Sequence, residues 1–167
     1  MSDPHDIRAP ASAKARLYAD LEAEIASVLR DEPDGGARMA TVAAMLAAGF
    51  ERFSWTGFYL VDRGKPDELV IGPYQGTLGC LRIPFGRGVC GAAASSGKTV
   101  IVADVDAFAD HIACDSRSRS EIVVPVFDGV GELIAVLDVD SVRPGAFDAI
   151  DAAGLEAIVR RVFANPP

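Results

Sequence analysis

The chain has 167 residues, half of them apolar and 24% charged, which suits one folded domain that buries roughly 70% of its unfolded surface. Twenty-four acidic against sixteen basic residues give a net charge of −8, with no Lys/Arg cluster, so neither a nucleic-acid partner nor polybasic membrane attachment is expected. No apolar run approaches the roughly 18 residues of a spanning helix, and the first residues lack a secretory pattern, so a cytoplasmic protein is expected.

Residues 1–11 read as a flexible arm that holds His5, and 12–164 as one domain. Ser12 caps a helix running to about Arg30, with Leu17, Leu21, Ile25, Val28 and Leu29 as its apolar stripe. The stretch Asp31-Glu32-Pro33-Asp34-Gly35-Gly36 breaks it. A second helix carries Met39, Val42, Met45 and Leu46 on one face and ends at Gly49. Phe53–Val61 and Glu68–Tyr74 then read as strands of a hairpin with a longer loop over 62–67. Leu81–Phe85 is a short strand, 89–96 a short helix entered through Gly86-Arg87-Gly88, and Thr99–Val102 a further strand. A polar loop over 103–119 precedes two strong strands, Glu121–Phe127 and Glu132–Val139, joined by a tight turn at Asp128-Gly129. A last helix opens near Asp148, carries Ile150, Leu155, Ile158, Val159, Val162 and Phe163 on one side, and stops at Pro166-Pro167. Consecutive strands flanked by helices give an α+β domain, an antiparallel sheet with helices on its faces.

Chemistry gathers at three places. The first is the three cysteines. Cys80 and Cys114 lie in loops and Cys90 at a helix N-terminus, where the helix dipole and nearby arginines favour a thiolate. An odd count without a CxxC pair is not a disulfide scaffold, and three inert apolar cysteines are the plain alternative. A zinc site from Cys80, Cys90, Cys114 and His111 has the right residue types, but only His111-x-x-Cys114 has close-pair spacing, so no resident metal is expected. With only two histidines in the chain, His111 is only a weak candidate base for Cys114.

The second place holds carboxylates. Glu121 opens an apolar strand, and Asp138 and Asp140, two apart, share one face of the next. If those strands pair through the turn near 128–131, all three acids meet at one end of the sheet, where they suit an ammonium group and raise one another's pKa. Ordinary solvated strand ends are the alternative. The third place is aromatic. Trp55 and Tyr59, four apart on one strand, share a face and could wall a pocket for a methyl or sulfur group, or simply fill core.

Together these stretches resemble the free methionine-(R)-sulfoxide reductases, single GAF domains that act on the free amino acid. The resemblance rests on Ser54-Trp55-Thr56-Gly57-Phe58-Tyr59-Leu60, Gly72-Pro73-Tyr74-Gln75-Gly76 and Arg82-Ile83-Pro84-Phe85-Gly86-Arg87-Gly88-Val89-Cys90-Gly91. It continues in His111-Ile112-Ala113-Cys114-Asp115-Ser116, Ser120-Glu121-Ile122-Val123-Val124-Pro125 and Leu137-Asp138-Val139-Asp140-Ser141. It implies a GAF fold whose first and last helices pack together, with no bound cofactor. It also implies Cys114 as nucleophile, Cys80 as the thiol that resolves it by a disulfide, and Cys90 as alternative or relay. Glu121, Asp138 and Asp140 would hold the substrate ammonium and assist proton transfer, Trp55 and Tyr59 would line the substrate side chain, and backbone N–H groups near Cys90 would take the substrate carboxylate. Thioredoxin, drawing on NADPH, would restore the thiols, and the protein would be a homodimer. The alternative is a GAF sensor that binds a small ligand without catalysis. A zinc-stabilised domain is a third reading.

Overall fold

The computed structural model describes residues 11–164. The arm expected over 1–11, with His5, lies outside them except for Ala11, and so does Pro166-Pro167. Four helices, α1 (Ala11–Val28), α2 (Gly35–Gly49), α3 (Gly88–Ser96) and α4 (Ala149–Val159), accompany six strands. These are β1 (Trp55–Asp62), β2 (Lys65–Gln75), β3 (Arg82–Pro84), β4 (Val100–Val102), β5 (Ser120–Phe127) and β6 (Leu133–Ser141). They form one antiparallel sheet in the order β3-β2-β1-β6-β5-β4.

Period-two patterning splits the sheet into two faces. Phe58 of β1, Ile122, Val124 and Val126 of β5, and Ala135, Leu137 and Val139 of β6 point one way, into a core shared with α1, α2 and α4. Each fully buried side chain of this size contributes about 1.5–3 kcal/mol. Trp55 and Tyr59, Val123, and Val136 point the other way, beneath α3 and the long loops. The candidate catalytic residues lie on this second face.

The first and last helices do pack together. Gly154 of α4 makes this possible, because a Cβ there would sit 2.2 Å from Tyr18 Cγ of α1. At the contact, buried Asp151 accepts from Tyr18 Oη (2.7 Å) and Lys14 Nζ (2.9 Å), and pairs with buried Arg52. Asp148 caps α4 in a reciprocal capping box with Asp151.

Several local expectations are corrected. α1 starts at Ala11, so Ser12 lies in its first turn rather than ahead of it. Asp34 caps α2 by accepting from Ala37 N at 2.7 Å, which draws Gly35 and Gly36 into the helix instead of leaving them in the break. The β1–β2 connection is tight rather than long. Asp62 pairs with Lys65, and its Oδ1 accepts from Gly64 N at 2.8 Å, leaving only two residues to turn. The β5–β6 turn is longer than Asp128-Gly129. Asp128 Oδ1 accepts from both Val130 N and Glu132 N, and the left-handed residue is Gly131 (φ 85°) rather than Gly129. The last helix runs on into a π-helical turn over Arg160–Ala164. Among the described residues no helix is long and apolar enough to cross a membrane.

Candidate active site

Strand register sets the site. Across the adjacent strands β1, β6 and β5, Trp55 pairs with Asp140 and Asp140 with Glu121. One step along the same face, Gly57 pairs with Asp138 and Asp138 with Val123. Alternation therefore delivers Glu121, Asp138 and Asp140 to one patch, as their spacing predicts. Glu121 and Asp138 are buried and Asp140 is half-buried.

α3 covers this patch with Cys90, its third residue, a free and buried thiol whose Sγ lies 4.0 Å from Glu121 Oε1. The α3 N-terminus has no side-chain cap, and Gly88, Val89 and Cys90 line the same cavity as the three carboxylates. The 103–119 loop closes the cavity with His111, Ile112 and Cys114. His111 Nε2 stands 3.4 Å from Glu121 Oε2, and Ser118 Oγ donates to Asp140 Oδ1 at 2.6 Å.

Cys114 is joined to Cys80 by a disulfide across a Cα–Cα distance of 5.2 Å. This removes both sulfurs from the four-ligand zinc set considered from the sequence. The two cysteine loops are held a second time beside the disulfide, where Thr77 Oγ1 donates to Asp115 Oδ2 at 2.8 Å. Arg117 completes the clamp, donating from Nε (3.1 Å) and from a terminal nitrogen (2.8 Å) to the two Asp115 oxygens, which holds that carboxyl well below the usual range.

Burial dominates the electrostatics of the cluster. It pushes the Glu121 carboxyl up, with the charge on Asp140 adding to it. It does the same at Asp138, helped by Asp140 and Glu121. Asp140 is pushed up to about 6, again by burial, against the lowering effect of the Ser118 hydrogen bond and His111. Among the described residues no Lys or Arg makes an ion pair with any of the three, and Asp138 Oδ1 is buried with no hydrogen-bond partner. Cys90 overturns its expectation. Desolvation, then Asp138, Glu121 and Asp140, push its thiol well up, so the helix N-terminus does not yield a thiolate there.

The two aromatic candidates sit one layer back. Trp55 is stacked between Tyr59 (5.8 Å) and Tyr74 (5.1 Å), and its Nε1–H donates to the Thr77 carbonyl at 2.9 Å. Neither Trp55 nor Tyr59 lines the cavity; both support the Cys80 loop from below. Gly79 must be glycine for that loop to lie so close, since a Cβ would stand 2.9 Å from both the indole Cζ2 and the Tyr59 hydroxyl. Burial and the nearby Asp138 charge raise the Tyr59 phenol, which stays protonated. Thr77, Asp115 and Ser118 escape the sequence reading as anchors. They are loop residues without periodicity, and their one signal is proximity to Cys80, Cys114 and the acids.

Comparison places this architecture. The GAF domain family matches residues 15–162, so the chain is a GAF domain. It also resembles a GAF domain-containing protein A of Dictyostelium discoideum, 44% identical over 93% of this chain and 96% of the relative. Two further likenesses are more specific. A free methionine-R-sulfoxide reductase of Escherichia coli is 40% identical over 89% of this chain and 88% of its own. A crystal structure of the free methionine-R-sulfoxide reductase of Neisseria meningitidis with its substrate superimposes with a TM-score of 0.84, at 53% identity, covering 89% of this chain and 87% of that one. The chain belongs to the free methionine-R-sulfoxide reductase family.

Proposed function

We propose that the protein reduces free methionine-(R)-sulfoxide to methionine by thiol chemistry at Cys114. One observation carries this reading: the Cys80–Cys114 pair stands over a cluster of buried acids that, among the described residues, has His111 beside it but no Lys or Arg in ion-pair contact. The substrate ammonium supplies the missing positive charge, and its carboxylate meets the uncapped N–H groups of α3. A peptide-bound residue has no ammonium to offer, so binding would leave the carboxylates unpaired. Specificity for the free amino acid follows.

In the first step the Cys114 thiolate attacks the sulfoxide sulfur. A buried acid, Glu121 or Asp138, protonates the sulfoxide oxygen; the substrate S–O bond breaks, the hydroxyl passes to Cys114 Sγ, and the new S–S bond breaks with its electron pair going to methionine, which leaves Cys114 as a sulfenic acid. Burial pushes both carboxyls up, which favours the proton-carrying form a general acid needs. The Cys80 thiolate then attacks Cys114 Sγ, water leaves, and the disulfide forms. A thioredoxin-type dithiol returns two electrons by exchange. Cys90, buried among acids, is the alternative or relay thiol, and its neutral S–H faces Glu121. Trp55 and Tyr59 hold the Cys80 loop over the substrate side chain. The setting is cytoplasmic and the protein a homodimer; a monomer in sedimentation velocity would remove the dimer.

The test is NADPH consumption with thioredoxin, its reductase and free methionine-(R)-sulfoxide. Cys114→Ser is expected to abolish turnover. Cys80→Ser is expected to release one methionine per chain and stall. Full activity of Cys114→Ser, or equal rates on a peptide-bound substrate, would overturn the reading.

A further inference from the structure

The acid cluster presents a donor set that an ammonium does not exhaust. Cys90 Sγ and one carboxylate oxygen each from Glu121 and Asp138 lie within 4.8 Å of one another, and all three residues are buried. Asp138, only 6% exposed, keeps one oxygen without any hydrogen-bond partner. His111 Nε2 adds a nitrogen 3.4 Å from the second Glu121 oxygen. Sulfur, imidazole nitrogen and two carboxylates are ligands that tetrahedral zinc accepts, at about 2.3 Å for sulfur and about 2.0–2.2 Å for the others. Such bonds place ligand atoms about 3.3–3.8 Å apart, so the Cys90, Glu121 and Asp138 atoms close by about an ångström, and His111, which lies outside that triad beside the second Glu121 oxygen, must swing further to join them.

We propose that Cys90, Glu121, Asp138 and His111 form a reversible site for a borderline-soft divalent transition cation, zinc foremost, that excludes the substrate ammonium from the same acids. Thiolate and imidazole select against magnesium and calcium, which take oxygen ligands. On binding, the Cys90 S–H bond breaks, its proton goes to solvent, and the sulfur electron pair makes the metal bond; no redox change occurs. The disulfide matters here. It ties up Cys80 and Cys114, so Cys90 is the one thiol of the three left to bind metal in the oxidised protein. The site itself stands apart from the proposed function; only the competition with substrate rests on it.

The experiment is a cobalt(II) titration of the intact chain with the disulfide in place. A thiolate-to-cobalt absorption band in the near ultraviolet should saturate at one equivalent and be displaced by zinc. Asp138→Asn should keep the band but weaken cobalt affinity at least tenfold, and Cys90→Ser, checked for folding by circular dichroism, should lose it. No band in the parent protein, a band that persists in Cys90→Ser, or unchanged affinity in Asp138→Asn would overturn the site. If Cys90→Ser fails to fold, the Asp138→Asn titration decides. Free methionine or its sulfoxide should bleach the cobalt band. A band that resists excess amino acid leaves the metal site standing and overturns the shared occupancy instead.

Discussion

The protein buries carboxylates in two places, on opposite faces of the same sheet, and treats them in opposite ways. On the helical face Asp151 is fully enclosed but met by Lys14, Arg52 and the Tyr18 hydroxyl, and it closes the capping box of α4. On the other face Glu121, Asp138 and Asp140 have His111, Ser118 and the Cys90 thiol as neighbours, with no Lys or Arg in ion-pair contact among the described residues. Burying a charge is tolerated when it is paired; otherwise the group takes up a proton or waits for a partner from outside. The first cluster is therefore balanced in charge from within and holds helices together, whereas in the proposed function the second is completed by a ligand. Burial alone does not mark a functional acid; burial without an internal cation does.

Substitutions test that contrast most sharply at Asp151. Asp151→Ala leaves Arg52 buried without its carboxylate and Lys14 with Asp148 alone, and a loss of about 3–5 kcal/mol in urea denaturation is expected. A loss below about 1 kcal/mol would erase the distinction between the clusters. Asp138→Asn should do the reverse. It should keep or raise the stability of the ligand-free protein while lowering substrate affinity 10- to 100-fold, about 1.4–2.8 kcal/mol, read by calorimetric titration. Asp140 gives a smaller, pH-resolved effect. Its folded pKa, about 6, lies above the ordinary 3.8, so between those values the folded chain holds a proton that the unfolded chain has released. Stability from this group is thus present below about pH 4 and lost as pH rises through about 6, on the order of 1–2 kcal/mol. Asp140→Asn should flatten that slope in paired melts at acid and neutral pH. The smallest change is expected at Thr77→Ala, which removes an exposed hydrogen bond to Asp115 and should cost under about 1 kcal/mol.

What was legible in the sequence follows from which residues obey a period. Alternation along β5 and β6 brought Glu121, Asp138 and Asp140 to one end of one face, and the apolar stripes placed α1, α2 and α4. The turn lengths at 62–67 and 128–131 escape the sequence, because Asp62 and Asp128 bind backbone N–H groups through side chains that no hydrophobic pattern reports. Alternation gives Trp55 and Tyr59 a shared face, but their depth depends on glycines at 76 and 79 letting a loop close over the indole. Helix position alone points to a thiolate at Cys90, whereas burial and the acids that the sheet brings beneath it push the thiol up instead. The Thr77–Asp115 and Ser118–Asp140 contacts join aperiodic loops to distant segments and lie beyond any pattern.

The Cys80–Cys114 bond spans 34 positions of chain. Cross-linking a loop of that length removes unfolded-state entropy worth about 3–4 kcal/mol in the chain-entropy treatment. Breaking the bond hands that freedom back, and the loops that roof the cavity then rely on the Thr77–Asp115 contact and the Ser118 tether to Asp140. If the bond opens and closes with turnover, the domain is more resistant to unfolding when oxidised and looser when reduced. Amide hydrogen exchange over 111–118 would then keep time with the redox state.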